Sequence, residues 1–143
     1  MDKTVNSRKF LIATHGTLAS GIKSSLDIII GATENLFLMQ AYVEENKSLE
    51  EEIVPFVKEL GDDEELIVFS DLLGGSVTNQ ILQYGLRDKV HIVAGFNLGL
   101  VMEILLSDIE TPVEQVIAEA IINAKEQMVY VNKLLTTQNT NND

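Results

Sequence analysis

Cysteine is absent from the chain, which excludes disulfides, thiolate nucleophiles and zinc–thiolate sites. Positive charge is scarce: ten Lys and Arg stand against 22 Asp and Glu, a formal net charge of −12. Binding a nucleic acid needs cationic side chains to displace phosphate counterions, so that class of partner is excluded. No apolar stretch approaches the roughly 20 residues that span a bilayer. The segment Met1 to Lys9 is polar and lacks the apolar core of a signal peptide. These absences predict a soluble, cytoplasmic protein. Histidine is rare as well, with only two in the chain, so where each one falls carries more information than its type.

What is present is a globular composition. At 143 residues and 45% apolar content the chain is long enough for one domain with a full core. Strand-like apolar runs at Phe10–Thr14, Leu36–Ala41, Leu66–Ser70 and Val90–Ala94 alternate with amphipathic segments. Those segments carry apolar residues at three- and four-residue steps: Leu18, Ile22, Leu26 and Ile29; Leu49, Ile53, Phe56 and Leu60; Val77, Ile81 and Leu82; Leu98, Val101, Met102 and Leu105. Such alternation with short links implies a flavodoxin-like α/β fold, an open parallel sheet of strand order 2-1-3-4 with helices on both faces. Pro112 marks the entry to a further helix. The β-branched and aromatic run Met128–Val131 reads as a short C-terminal edge strand. The expected organisation is a polar leader over residues 1–9, one domain over 10–135 and a disordered polar tail over 136–143. The acidic clusters Glu50–Glu52 and Asp62–Glu65 read as solvated helix faces and turns.

Two strand-to-helix corners carry candidate chemistry. His15 follows the first apolar strand and precedes Gly16, at the strand end where open α/β sheets bind their ligands. Asp71 occupies the equivalent place after the third strand, followed by Leu72-Leu73-Gly74-Gly75-Ser76. With strands 1 and 3 adjacent and about 4.8 Å apart, His15 and Asp71 come within hydrogen-bonding reach. A carboxylate on one ring nitrogen fixes the tautomer and leaves the other lone pair free to attack an electrophile. Gly74 and Gly75 permit a tight turn whose backbone N–H groups approach an oxyanion, and Ser76 serves as an N-cap at a helix terminus that attracts negative charge. His15 as nucleophile beside an anion cradle points to a phosphoryl group carried on histidine. His91, at the start of a strand and the opposite sheet edge, reads as structural.

Other chemistries fit less well. Gly74-Gly75-Ser76-Val77-Thr78 lacks the trailing glycine of a serine-hydrolase elbow, and no phosphate loop of the G-x-x-x-x-G-K-[ST] type occurs. No metal site or cofactor requirement is evident. A ligand-binding α/β module without a covalent step remains a rival on these residues alone.

Ala13-Thr14-His15-Gly16 together with Asp71-Leu72-Leu73-Gly74-Gly75-Ser76-Val77-Thr78-Asn79 resembles the enzyme IIA component of the mannose family (mannose, fructose, sorbose) of the bacterial phosphoenolpyruvate-dependent sugar phosphotransferase system. Val93 to Glu103, with Gly95-Phe96-Asn97, is similar to that family's fourth strand and following helix. The resemblance covers Phe10 to Leu135. It implies a phosphotransferase in which His15 accepts a phosphoryl group from phospho-HPr and passes it to a IIB component. It further implies Asp71 as the carboxylate paired with that histidine, and Gly74, Gly75 and Ser76 as the loop lining the phosphate. A homodimer exchanging a C-terminal strand is implied as well, with the membrane met only indirectly through the permease complex. With no linked IIB domain, the chain is expected to work as a separate polypeptide. Leu72 and Leu73 depart from members that carry Thr and an aromatic residue there. A regulator of the same fold, whose phosphohistidine state a partner reads, is the alternative.

Overall fold

The computed structural model describes residues 5–141, with side chains through residue 137. Four strands, β1 (Ser7–His15), β2 (Leu36–Ala41), β3 (Glu64–Ser70) and β4 (Val90–Ala94), form one sheet in the order β2-β1-β3-β4. Every pairing is parallel, with Phe10 opposite Leu36 and Ile67, and Val68 opposite Ile92. Helices α1 (Leu18–Ile30), α2 (Leu49–Lys58) and α3 (Ser76–Gly85) provide the crossovers, and α4 (Leu98–Leu105) and α5 (Val113–Gln127), which follow β4, complete the cover of the sheet.

The period-two alternation of the central strands builds a core on each face. Phe10 and Ile12 of β1 join Ile67 and Phe69 of β3 beneath α1, α4 and α5. Leu11 and Ala13 join Leu66 and Val68 on the other face, beneath α2 and α3. On that second face α2 and α3 approach closely, and a methyl group at Gly85 would stand 2.9 Å from Cγ1 of Ile53. Ser48 caps α2 by accepting from the Glu51 N–H at 3.2 Å, and Glu50, Glu51 and Glu52 fill its first turn, where the helix dipole favours negative charge.

Three segments differ from the sequence expectation. First, β1 begins at Ser7 rather than Phe10, because polar side chains on β1 and β3 pair across the ladder. Arg8, opposite Glu65 in the register, forms a buried ion pair with it. Arg8 also donates to the carbonyls of Thr111 and Asp108, the latter at 3.0 Å, and Lys9 pairs with Glu64 at 3.2 Å. Second, Met128–Val131 is not a strand: Met128 has extended backbone angles, but this segment pairs with no strand among the described residues. Third, Val131–Asn141 forms a helix, α6, across most of the segment expected as a disordered tail, while residues 142–143 lie outside the described residues. No helix among the described residues is long and apolar enough to cross a membrane.

Candidate functional site

The parallel ladder carries β1 and β3 to the same edge, so the corners that follow them are neighbours. Ala13 lies opposite Ser70, which puts His15 and Asp71 just beyond the last paired residues. The His15 corner is held from several sides. The Gly16 N–H donates to the Ala41 carbonyl of β2 at 2.8 Å. Thr14 is fully buried, and its Oγ1 accepts from the Ala19 N–H at 3.0 Å. Thr14 thereby supplies the capping bond to α1 that Thr17 at the N-cap does not make.

Asp71 Oδ2 accepts two bonds from the same residue, one from the His15 backbone N–H at 2.8 Å and one from ring Nδ1 at 2.8 Å. The backbone bond fixes where the carboxylate sits, and the ring bond uses that position to orient the imidazole. Burial pushes the Asp71 carboxyl upward and is the largest single influence. The His15 N–H, the ring and its charge together outweigh it, so the group lies below the ordinary aspartate range. Asp71 is therefore ionised near neutral pH and acts as an acceptor only, which assigns a proton to Nδ1 and, in the neutral imidazole, leaves the lone pair on Nε2.

Nε2 faces the N-terminus of α3, where Ser76 Oγ lies 3.2 Å away. Gly74 turns the chain with φ +80°, in the left-handed region that favours glycine. Gly75 is constrained by space instead. A methyl group there would stand 3.2 Å from Leu72 Cβ, 3.3 Å from the Leu72 carbonyl oxygen and 3.5 Å from Cε1 of His15. The expected anion cradle differs in two respects: the Gly75 N–H is already committed to the Leu72 carbonyl at 3.1 Å, and the N-cap is Gly75, so that Ser76 is the first helical residue and not the cap. With no side-chain cap on α3, the amides of Ser76, Val77 and Thr78 at the helix start are left without an intrahelical acceptor, the first such bond running from Asn79 to the Gly75 carbonyl. Behind the turn, Thr78 Oγ1 donates to the Leu72 carbonyl at 2.6 Å and lies 2.7 Å from Ser70 Oγ, fixing the loop that carries Asp71.

Tyr42 is a residue the sequence reading did not select. It follows β2, its ring centroid lies 5.6 Å from that of His15, and its hydroxyl is 2.7 Å from Ser76 Oγ. Its backbone is left-handed, φ +67°. For a residue with a Cβ this costs on the order of 1–2 kcal/mol. No local sequence signal marks such a position; only the meeting of β2 and α3 reveals it. His91 sits on β4, at the other side of the sheet from this corner, and takes no part in it.

The His15 side chain is 39% exposed, and around this sheet edge Leu18, Leu72 and Leu73 are exposed as well. A nucleophilic nitrogen on an open, partly apolar face suits a group delivered by another protein better than a small molecule held in a cavity.

Comparisons with known proteins agree with the fold. The sequence model of the PTS system fructose IIA component family matches residues 9–130. A crystal structure from Klebsiella pneumoniae subsp. pneumoniae MGH 78578, ascribed to a phosphoenolpyruvate-dependent sugar phosphotransferase system permease, superposes with a TM-score of 0.84 at 34% identity, covering 90% of this chain and 94% of that one. The PTS IIA protein associated with the fucose utilization operon of Streptococcus pneumoniae gives a TM-score of 0.74 at 28% identity, over 93% of this chain and 99% of that one. The mannose/sorbose-specific IIA subunit from Enterococcus faecalis shares the fold, with a TM-score of 0.69 at 23% identity, over 87% and 94% of the two chains. No curated protein gives a significant match. A parallel sheet of order 2-1-3-4, covered by a family model along most of its length, leaves one assignment: the chain belongs to the mannose-type IIA family of the sugar phosphotransferase system.

Proposed function

We propose that this protein is a phosphohistidine carrier that takes a phosphoryl group from phospho-HPr onto Nε2 of His15 and hands it to a IIB component, in the cytoplasm. The observation that carries this reading is the double acceptance by Asp71 Oδ2, which holds Nδ1–H at 2.8 Å and turns the Nε2 lone pair toward the start of α3.

In the transfer, the Nε2 lone pair attacks phosphorus in line with the donor P–N bond. That bond breaks, its electron pair returns to the donor imidazole, and the P–Nε2 bond forms. The proton on Nδ1 stays in place, and the positive charge developing on the ring is stabilised by Asp71. Oxygens of the transferring group meet the Ser76 hydroxyl and the free amides at the α3 terminus, whose dipole favours negative charge. Donor and acceptor are both phosphoimidazoles, so the step is close to balanced and runs in either direction. Exposed Leu18, Leu72 and Leu73 supply the apolar face on which HPr and IIB would dock in turn.

A homodimer is part of this reading. β4 ends the sheet with an open edge, and Met128, Val129 and Tyr130 are exposed in a stretch that follows α5. A strand from a second copy laid against such an edge would satisfy its backbone groups.

The test is to incubate the protein with phosphoenolpyruvate, enzyme I and HPr, without ATP, and to measure its intact mass beside a His15→Ala control. Gain of one acid-labile phosphoryl group by the unmodified protein alone, passed on when a IIB protein is added, is the expected result. No gain with a competent donor would overturn the reading, and a phosphoryl group that is gained but never passed on would favour a regulator.

A further inference from the structure

We propose that Tyr42 is a positioning residue for phosphoryl transfer, acting through Ser76 to aim a single hydroxyl proton at Nε2 of His15 and then at the phosphoryl group that replaces its lone pair. The inference rests on the carrier reading for its use, but the hydrogen-bond chain itself stands on geometry alone.

Three contacts form the chain. Gln80 Nε2 donates to the Tyr42 hydroxyl at 3.4 Å, the Tyr42 hydroxyl is 2.7 Å from Ser76 Oγ, and Ser76 Oγ is 3.2 Å from His15 Nε2. Ser76 and Gln80 are four residues apart on α3, so both project from one face of the helix toward the tyrosine. The direction of the chain follows from Asp71. In the neutral imidazole, the form that can attack phosphorus, the proton is on Nδ1 and Nε2 can only accept, so Ser76 must donate to it. Having one proton, Ser76 must then accept from Tyr42, and Tyr42 accepts from Gln80.

This order has a chemical consequence. A free serine hydroxyl rotates among several acceptors, whereas one whose oxygen already takes a bond from tyrosine keeps its proton on the histidine side. When Nε2 bonds to phosphorus its lone pair is gone, and the nearest acceptors become the phosphoryl oxygens. The Ser76 proton needs only a small pivot to reach one, while the bond from Tyr42 is kept. The strained backbone of Tyr42 holds the ring where its hydroxyl can do this, the kind of local strain found where a side chain must be placed against preference.

The test uses the full chain with Tyr42→Phe, Ser76→Ala and the double variant. In the unphosphorylated protein, long-range proton–nitrogen correlation spectra should show the His15 Nε2 signal moving downfield in Tyr42→Phe, toward its position in Ser76→Ala, with Nδ1 still protonated. Under rapid quench with phospho-HPr, Tyr42→Phe should slow single-turnover transfer about three- to tenfold at saturating donor, the effect of one net hydrogen bond, with the half-saturating donor concentration unchanged. The double variant should be no slower than Ser76→Ala alone, because the tyrosine acts only through the serine. An unmoved Nε2 signal, an unmoved transfer rate or multiplicative losses in the double variant would each overturn the proposal. Absence of phosphoryl gain by the unmodified protein would overturn the carrier reading instead, and the Nε2 signal would then decide the hydrogen-bond chain on its own.

Discussion

Two side-chain pairs tie β1 to the β3 side of the sheet, one at each end of the strand, and they differ in what they leave unused. At the start, Arg8 and Glu65 are 6% and 5% exposed, and the guanidinium is also engaged by the Thr111 and Asp108 carbonyls. At the far end, His15 and Asp71 are also in direct contact, at 2.8 Å, but the imidazole is partly exposed and its second nitrogen faces the Ser76 hydroxyl. A charge with each of its nitrogens engaged in a dry setting can hold structure and little else. A ring with one nitrogen anchored and the other open can react. Under the carrier reading, the same cross-strand geometry serves as a clamp at one end and a reactive site at the other.

Substitutions that split the two ends apart sharpen this contrast. The largest effect on stability is expected from Arg8→Ala, which strands Glu65 in a buried site and should cost about 3–5 kcal/mol in urea unfolding. Phosphoryl gain by the folded fraction should be preserved. Replacing both partners with apolar residues, Arg8→Met with Glu65→Leu, should recover most of the loss. If Arg8→Ala lowers transfer by the folded protein as much as it lowers stability, the separation between clamp and site is lost.

A smaller effect on stability and a larger one on rate are expected at the other end. Asp71→Asn leaves a side chain of similar size but no longer enforces the Nδ1–H tautomer, and should slow transfer by roughly 10²-fold, the scale of a general catalytic group. Near-normal transfer measured by rapid quench would sink that role. The same variant tests an acid limb. The Asp71 carboxyl is held below its ordinary range in the folded protein, so its contribution is present above the unfolded aspartate value of about 4 and is lost as pH falls below that, through the folded value. Urea midpoints between about pH 5 and 2 should therefore fall less steeply in Asp71→Asn than in the unmodified chain. Parallel curves would assign the acid loss to other carboxyls, such as Glu64, which is also held low by the Gly61 N–H and Lys9.

The contrast also explains what could be read in advance. The strands β2 and β4, the strand order and the meeting of His15 with Asp71 were legible, because short apolar runs alternating with amphipathic segments mark a parallel α/β sheet and one histidine stood at a corner. Arg8 and Glu65 were not, since polar residues at a strand end look like the solvated flank of an apolar run. Tyr42 was hidden because its place depends on a left-handed turn without glycine and on a contact with Ser76, 34 residues away. Met128–Val131 has the composition of a strand but no partner strand among the described residues, and composition alone cannot supply one. The commitment of the Gly75 N–H to Leu72 belongs to the same class, a turn detail that two adjacent glycines leave open.

One further consequence lies in the register of β1. Leu11, Ile12, Ala13 and Thr14, wholly enclosed, connect the clamp to the reactive corner without a bulge, and Arg8 and Ala13 fall opposite Glu65 and Ser70 in a single unbroken ladder. A slip of one residue would exchange the two cores and move His15 away from Asp71 at the same time. A mis-threaded chain could then be compact and still be unable to take a phosphoryl group. Under the carrier reading, the fraction of molecules that gain mass from phospho-HPr would count the correctly threaded ones, giving this protein a built-in gauge of its own refolding yield.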